Sequence, residues 1–280
     1  MSKMRYGVGI FGNEPLPKIM AQIKLAEEMG YDSAWLIDSQ LTCREVYVTL
    51  AACALTTSRI KLGTGVTAPY TRHASVTASA FATLNEIAPG RLLLGISIGQ
   101  SLVRTIGYRP AKIRELEEYV GVLRGLLNNE KVRFEGDVEG KITWMKKPSQ
   151  IPIYVAGSGP RITQAAGRIA DGVILHHGLR PSQIERGLGQ VRDGVAEVGK
   201  SMDQVDVVCW AITSVSPDGG LAREHVRGRV AAMLAMAAPE RFDEEDREAI
   251  LRIRKEYDFS RVGSPALDKF IDMYALAGTP

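Results

Sequence analysis

The sequence predicts an α/β fold, a TIM-type (β/α)8 barrel, from two observations. Short apolar runs alternate with helical periods along the chain, a pattern typical of βα units around a parallel sheet. Polar and glycine residues directly follow several of these runs. A closed barrel would gather them on the face formed by the strand ends, whereas an open sheet would spread them apart. The predicted strands are residues 6–10, 33–37, 60–63, 92–96, 153–156, 173–175 and 205–212.

Apolar residues at helical spacing predict the helices between these strands. Pro15 and Gly30 mark the start and the end of the first helix, because proline suits a first turn and glycine suits a helix terminus. Further helical periods cover residues 75–87 and 113–127. A single domain over residues 1–280 is expected.

Two segments interrupt the regular repeat. Residues 128–150 are polar and rich in glycine and lysine, which predicts an inserted hairpin or lid. Residues 278–280 read Gly-Thr-Pro, a helix-start signal, so the last βα unit is expected to be lacking or truncated. A homodimer or a higher homo-oligomer could cover the seam that such a short end leaves.

Composition excludes several classes of function. A net charge of +3 on 280 residues is spread along the chain without a basic block, so nucleic acid is not an expected partner. Three cysteines without a C-x-x-C spacing predict reduced thiols in the cytoplasm and no structural zinc. No apolar run reaches membrane-spanning length, and no membrane association is predicted.

Two glycine-containing segments directly follow predicted strands and suit parts of a cofactor. Gly63 and Gly65 are spaced so that the backbone can approach a flat or anionic ligand. Residues 157–161, Gly-Ser-Gly-Pro-Arg, open a predicted helix whose free N–H groups and dipole favour a phosphate. Ile162 stands where a dinucleotide-binding fingerprint needs its last glycine, so a Rossmann site is not predicted. For each segment a plain turn remains the alternative.

Several side chains would reach the same face of the barrel. Asp38 ends the second strand and is a candidate active-site acid, with a helix cap or a loop aspartate as the alternative. The histidines lack metal-ligand spacing, so no metal is predicted, and a histidine satisfied within its own loop is the default for each. The candidate substrate contacts are Phe11, Tyr70, Arg72, His73 and His176.

Five segments follow one group of enzymes in order: residues 13–15, 25–27, 34–38, 65–73 and 83–86. From about Tyr6 to its end the chain resembles the bacterial luciferase-like superfamily, and within it the methylenetetrahydromethanopterin reductases. The resemblance implies a barrel that binds coenzyme F420, or FMN as in many bacterial relatives, over a cis peptide at Gly65-Val66. It implies hydride transfer to or from a small organic substrate such as a pterin or folate carrier, with an FMN-dependent monooxygenase as the alternative.

The resemblance also implies roles for particular residues. The cofactor ring would lie against Asp38, Thr64, Gly65, Val66 and Gly99. Its phosphate would lie against Ala156, Gly157, Ser158, Gly159, Pro160 and Arg161. The catalytic positions would be Asp38, Ser39 and Gln100.

The chain departs from the reductases at three positions. Ser39 replaces the usual histidine, and Gly9 and Gln100 replace two acids. Because hydride transfer normally requires a proton donor, these changes leave the substrate open among the reductases' own pterin, another pterin or folate, and a small ketone.

Two other readings compete with an oxidoreductase. Residues 95–99, Gly-Ile-Ser-Ile-Gly, match the nucleophile elbow of serine hydrolases, with Ser97 as nucleophile and Asp206 and His225 in the required chain order. No helix follows at once and no glycine-rich oxyanion loop precedes the motif, which argues against this reading. A cofactor-binding barrel without turnover is the other alternative.

Overall fold

The computed structural model describes residues 4–236, 242, 244–256 and 267–280. Seven parallel strands form one curled sheet in the order β1-β2-β3-β4-β7-β8-β9. The predicted α/β barrel class is therefore confirmed. The strands are β1 Gly7–Ile10, β2 Ser33–Leu36, β3 Lys61–Thr64, β4 Leu92–Ile96, β5 Val132–Arg133, β6 Glu139–Gly140, β7 Ile153–Gly157, β8 Gly172–Leu175, β9 Asp206–Cys209, β10 Ile212–Val215 and β11 Ala275–Gly278.

Helices connect the sheet strands as the apolar spacing predicts. The first helix begins after Pro15 and buries Ile19 and Ile23, and Gly30 follows its end with a φ of 85°. The helices are α1 Leu16–Glu28, α2 Val46–Thr56, α3 Ala74–Ile87, α4 Gln100–Arg104, α5 Ile113–Leu127, α6 Pro160–Ile169, α7 Pro181–Glu197, α8 Gly219–Met236, α9 Glu244–Glu256 and α10 Leu267–Tyr274.

A short hairpin lies within residues 128–150. Strands β5 and β6 pair antiparallel, and the Phe134 ring lies against Gly140. The same ring lies 5.4 Å from the ring of His73, centroid to centroid, so the hairpin contacts the segment that follows β3. None of the helices in the described part of the chain is long and apolar enough to cross a membrane.

The end of the sheet differs from the prediction. The predicted strand over residues 205–212 is interrupted after Cys209, because β9 pairs with β8 whereas β10 pairs with β11. Strands β10 and β11 form a separate parallel pair, so the end of the chain contains a strand where the last βα unit is expected to be lacking or truncated. Strand β11 pairs with a strand about 60 residues away in the chain and ends at Gly278, and Thr279 and Pro280, which carry the helix-start signal, lie beyond it.

Two apolar regions hold the sheet in place. The main core lies between the sheet and its helices and contains Phe81, Ile23 and Leu94. A second cluster fills the inside of the curled sheet, the lumen, where Trp35 and Tyr154 meet edge to face at 5.2 Å. At the lower end of the lumen, where the strands begin, the Tyr154 hydroxyl donates to Asp206.

Helices α6 and α7 approach each other so closely that only glycine fits at their contact. A Cβ atom on Gly194 would lie 1.9 Å from the carbonyl oxygen of Gln164. We expect Gly194→Ala to lower the free energy of unfolding by about 1–3 kcal/mol, because the backbones must separate. Gly189 lies on the same helix, and a Cβ atom built on it would have no atom within 4 Å. The control Gly189→Ala should therefore raise stability by about 0.5–1 kcal/mol. Urea unfolding of both variants checks this, and equal effects would contradict it.

Candidate active site

The carboxyl ends of the seven parallel strands lie on one face of the sheet, which we call the mouth. The residues that follow these strands bring together most positions singled out from the sequence. They are Phe11, Asp38, Gly65, Ser97, Ser158, His176 and Trp210. Six of these seven are expected from the sequence, and Trp210 is not.

A backbone bulge follows β3 at the mouth. The Thr64 hydroxyl donates to the Gly95 carbonyl oxygen at 2.7 Å, and the Gly95 N–H donates back to the hydroxyl at 3.0 Å. Beyond the bulge Thr67 pairs with β4 again, its N–H donating to the same carbonyl at 2.9 Å. Gly65 and Val66 lie between these anchors, and the bond joining them is cis, as the resemblance implies. Thr64 is fully buried, so its side chain fixes the bulge and is not available to a ligand.

The indole of Trp210 lies beside this bulge inside the barrel. Cβ atoms on Gly9 and Gly65 would lie 2.7 Å and 2.9 Å from the indole ring. Trp210 is not expected from the sequence, because the apolar pattern predicts one continuous strand over residues 205–212. A predicted strand that ended at Cys209 would have placed Trp210 directly after a strand end, as for the other mouth residues.

Asp38 is the centre of a buried polar network at the rim of the mouth. Its carboxylate is 4% exposed and accepts from the Thr67 hydroxyl at 2.8 Å and from Arg72 at 2.9 Å. Burial raises the pKa of Asp38, and the charge of Arg72 opposes that rise. Arg72 also bonds Glu45 and stacks 4.4 Å over the ring of Tyr47. The network ties the segments after β2 and β3 together.

A cleft of about 310 Å³ opens beside this network. The Tyr70 hydroxyl donates to Glu115 at 2.7 Å, and Arg109 holds the same carboxylate with two hydrogen bonds. The Gln40 side-chain oxygen is buried, and no residue in the described ranges donates to it. The cleft therefore offers a cation and aromatic rings, with an unused acceptor buried in its wall. Its lining residues are Gln40, Tyr70, Thr71, Arg72, Ile106 and Tyr108.

The first turn of α6 lies at the mouth two strands from the bulge. Gly159 precedes this helix without a side-chain cap, and Pro160 occupies its first position. Uncapped N–H groups at a helix start attract anions, and the exposed Arg161 adds positive charge there. Because only β4 separates β3 from β7, the bulge and this helix start are about 10 Å apart.

His176 and Phe11 lie on the opposite side of the mouth, under α8. The Arg229 guanidinium stacks 4.5 Å over the Phe11 ring. Loss of water contact, together with the charges of Arg229 and His177, lowers the pKa of His176 to about 4. His176 is thus neutral at pH 7.

The remaining candidates have local roles in the fold. His73 caps α3, its ring nitrogen accepting from the Ser75 N–H at 3.3 Å. Ser39 accepts a hydrogen bond from Thr42 at 2.8 Å. Gly99 has a φ of 79° and packs against Ala68, and the exposed Gln100 begins α4 directly after it. These residues lie at the mouth, and none of the contacts identifies a ligand.

The structure does not assemble the serine hydrolase triad. The Ser97 hydroxyl donates to the Ala156 carbonyl at 2.9 Å. Asp206 begins β9 at the opposite end of the barrel, and His225 pairs with Ser214. The triad reading is therefore wrong for this chain. Within the described ranges no group of three or more histidine, cysteine or acidic residues is placed to hold a metal ion.

The fold and the mouth define a (β/α)-barrel protein with a flat, partly apolar site at the strand ends. The family model described as luciferase-like monooxygenase matches residues 3–280. The 5,10-methylenetetrahydromethanopterin reductase of Methanolobus tindarius is 32% identical over 288 residues, covering 99% of this chain and 87% of that enzyme. The F420-dependent glucose-6-phosphate dehydrogenase of Microbacterium testaceum is 33% identical over 257 residues, covering 86% of this chain and 76% of that enzyme.

A solved structure agrees with these relatives. The coenzyme F420-dependent tetrahydromethanopterin reductase of Methanopyrus kandleri superposes with a TM-score of 0.85 at 28% identity, covering 100% of this chain and 87% of that one. The chain belongs to the luciferase-like monooxygenase family. The predicted oxidoreductase class, F420- or flavin-dependent and related to the methylenetetrahydromethanopterin reductases, is confirmed.

The lowered pKa of His176 predicts a specific acid sensitivity. The His176 imidazole takes up a proton near pH 6.5 in the unfolded chain and only near pH 4 in the folded chain. Stability present above pH 6.5 is therefore lost as the pH falls towards 4, by at most about 3 kcal/mol. Urea unfolding from pH 4 to 7 should show a smaller loss for His176→Gln than for the wild type. The control His73→Gln should keep the wild-type dependence, and an unchanged dependence in His176→Gln would contradict the assignment.

Proposed function

We propose that this protein transfers a hydride between a deazaflavin or flavin, coenzyme F420 or FMN, and a small organic substrate at the mouth of the barrel. The observation that carries the proposal is the bulge between Thr64 and Thr67. It presents Gly65, which has no side chain, over an apolar floor. A flat ring can bury one face there without displacing a polar group.

The residues around the bulge fit a cofactor of this shape. The ring would lie on Gly65 and Val66, and a phosphate would bind the first turn of α6 next to Gly157 and Arg161, about 10 Å away. When bound, the cofactor supplies the two-electron redox chemistry. The chain supplies the apolar floor, which excludes water from one face of the ring, and the helix start, which fixes the phosphate end.

We further propose that the substrate occupies the cleft beside Asp38. The Arg72 guanidinium can donate to carbonyl or ring-nitrogen acceptors of a flat polar ring, the Tyr70 ring can pack against it, and the unused oxygen of Gln40 can accept from an N–H group. A pterin or folate carrier has this chemistry, and a small ketone is the other class to be tested. The full-length similarity to the pterin reductase supports the first class.

Asp38, Ser39 and Gln100 are proposed to act in different ways. Asp38 is already bonded to Arg72, so it positions that guanidinium at the cleft. Ser39 and Gln100 are neutral hydrogen-bonding groups at the rim, and we propose that they orient the substrate. A proton then reaches the substrate from the solvent side of the mouth, because the lumen below the ring is apolar.

The cellular setting is also a proposal. Helix α2 contains no charged residue, yet its Val48 and Leu55 are 63% and 73% exposed. Such an apolar face suits burial against a second copy of this chain in a homodimer. The three free cysteines favour the reducing cytoplasm.

Calorimetric titration of the purified protein with F420 and, separately, with FMN tests the cofactor site. We expect one of the two to bind, and Gly65→Ala to weaken its binding about tenfold, since the added methyl group would lie 2.9 Å from the Trp210 ring. The control Gly121→Ala adds the same methyl group on α5, where nothing lies within 4 Å, and should bind normally. Binding of neither cofactor to the wild type would refute the proposal.

Where FMN is the cofactor that binds, a comparison of FMN with riboflavin tests the phosphate end. Riboflavin shares the ring and lacks the phosphate, so it should bind about tenfold more weakly or worse if α6 holds that group. Arg161→Gln should weaken FMN binding two- to five-fold, as expected for one exposed charge, and leave riboflavin binding unchanged. Equal affinity for both ligands would place the phosphate away from α6.

A further inference from the structure

The Trp210 indole lies in the upper lumen beside the bulge. The cluster inside the barrel consists of apolar and aromatic residues, and Trp210 and Trp35 are its two tryptophans next to Gly65. The Trp210 backbone is held by its N–H, which donates to the Leu175 carbonyl at 3.0 Å. The cluster comprises Trp35, Leu93, Tyr154, Ile174, Val66, Ala156, Val208 and Trp210.

Two glycines make room for the Trp210 indole. A Cβ atom at Gly9 would lie 2.7 Å from ring atom Cζ2, and one at Gly65 would lie 2.9 Å from Cη2. Gly9 belongs to β1 and Gly65 follows β3, so the indole reaches two strands that β2 separates. Any larger residue at either position would push the indole away. The three residues therefore form one unit, which we call the indole seat: Gly9, Gly65 and Trp210.

We propose that Trp210 is a specificity-determining residue of the ring subsite: its indole, held in the indole seat, is the floor against which a bound flavin or deazaflavin ring packs. This inference rests on the proposed function, because it requires a ring on Gly65 and Val66. It adds a contact between the cofactor ring and Trp210, which follows β9, to the contacts that the bulge provides.

The floor selects by shape and by polarity. An indole is a flat, rigid surface, and aromatic contacts add about 0.5–1.5 kcal/mol to the burial of apolar area. Val66 and Ala156 extend the same surface without a charged group. A planar ring therefore binds with one face dry, and a ligand with a hydrated substituent on that face is rejected.

Fluorescence of the bound cofactor reports this contact directly. An indole in contact with an excited flavin-type ring quenches its emission, whereas phenylalanine does not. We would saturate the wild type and Trp210→Phe with whichever of FMN and F420 binds the wild type, and record emission and the dissociation constant. The matched control is Trp144→Phe, because Trp144 lies in the inserted segment and is 45% exposed.

We expect the cofactor bound to Trp210→Phe to be brighter than in the wild type, and Trp144→Phe to match the wild type. Trp210→Ala should bind about tenfold more weakly, because the floor is lost. Gly9→Ala leaves the tryptophan in place but displaces its ring, so it should also weaken binding and alter emission. Thermal unfolding identifies any variant that fails to fold.

Unchanged emission and affinity in folded Trp210→Phe and Gly9→Ala would overturn the role of Trp210 and leave the proposed function standing. If the wild type binds neither FMN nor F420, the proposed function fails, and the role of Trp210 is refuted with it. The wild-type titration thus separates the two failures.

Discussion

The mouth depends on the reciprocal hydrogen bonds between the Thr64 side chain and the backbone of Gly95. They replace a ladder pair between β3 and β4, so that the Gly95 N–H and carbonyl stay paired while the chain leaves the sheet at Gly65 and returns at Thr67. Only glycine is possible opposite, because a Cβ on residue 95 would lie 2.0 Å from the Thr64 carbonyl. The shape of the ligand platform is therefore fixed by an interaction that no ligand touches.

The platform separates an apolar lumen from a polar rim. Below it the lumen contains aromatic and aliphatic side chains, whereas the rim carries the network of Asp38, Arg72 and Glu45. Burying Asp38 is costly on its own, and the Thr67 hydroxyl and the Arg72 guanidinium offset that cost. Since Arg72 also lines the cleft, the same ion pair that satisfies a buried acid holds a cation ready for a polar ligand.

Much of the fold could be predicted because local signals decided it. Pro15 and Gly30 bound α1 as expected, and the strand runs lie where the apolar pattern places them. The break after Cys209 could not be found in this way. It carries no turn residue and arises because β9 and β10 pair with different partners. The strand at residues 275–278 depends on the same long-range pairing, which no local signal indicates.

The candidate site was predictable in position and less so in contacts. The strand ends placed Asp38 and Gly65 at the mouth, yet the partner of Asp38 lies 34 residues away on another loop. The hydrogen bond from the Thr64 hydroxyl to Gly95 could not be predicted from the sequence, because the direction of this side chain depends on the bulge. Trp210 was not predicted, because the predicted strand continued through it to residue 212.

The closed lower end of the barrel has a consequence for the order of events in the site. Tyr154 and Asp206 meet where the strands begin, and the aromatic cluster fills the lumen above them, so among the described residues the mouth is the open end of the barrel. A ligand that rests on the floor must pass through the space that a second ligand occupies nearer the rim. Under the proposed function, the cofactor binds deeper than the substrate. It must therefore bind before the substrate and leave after the product.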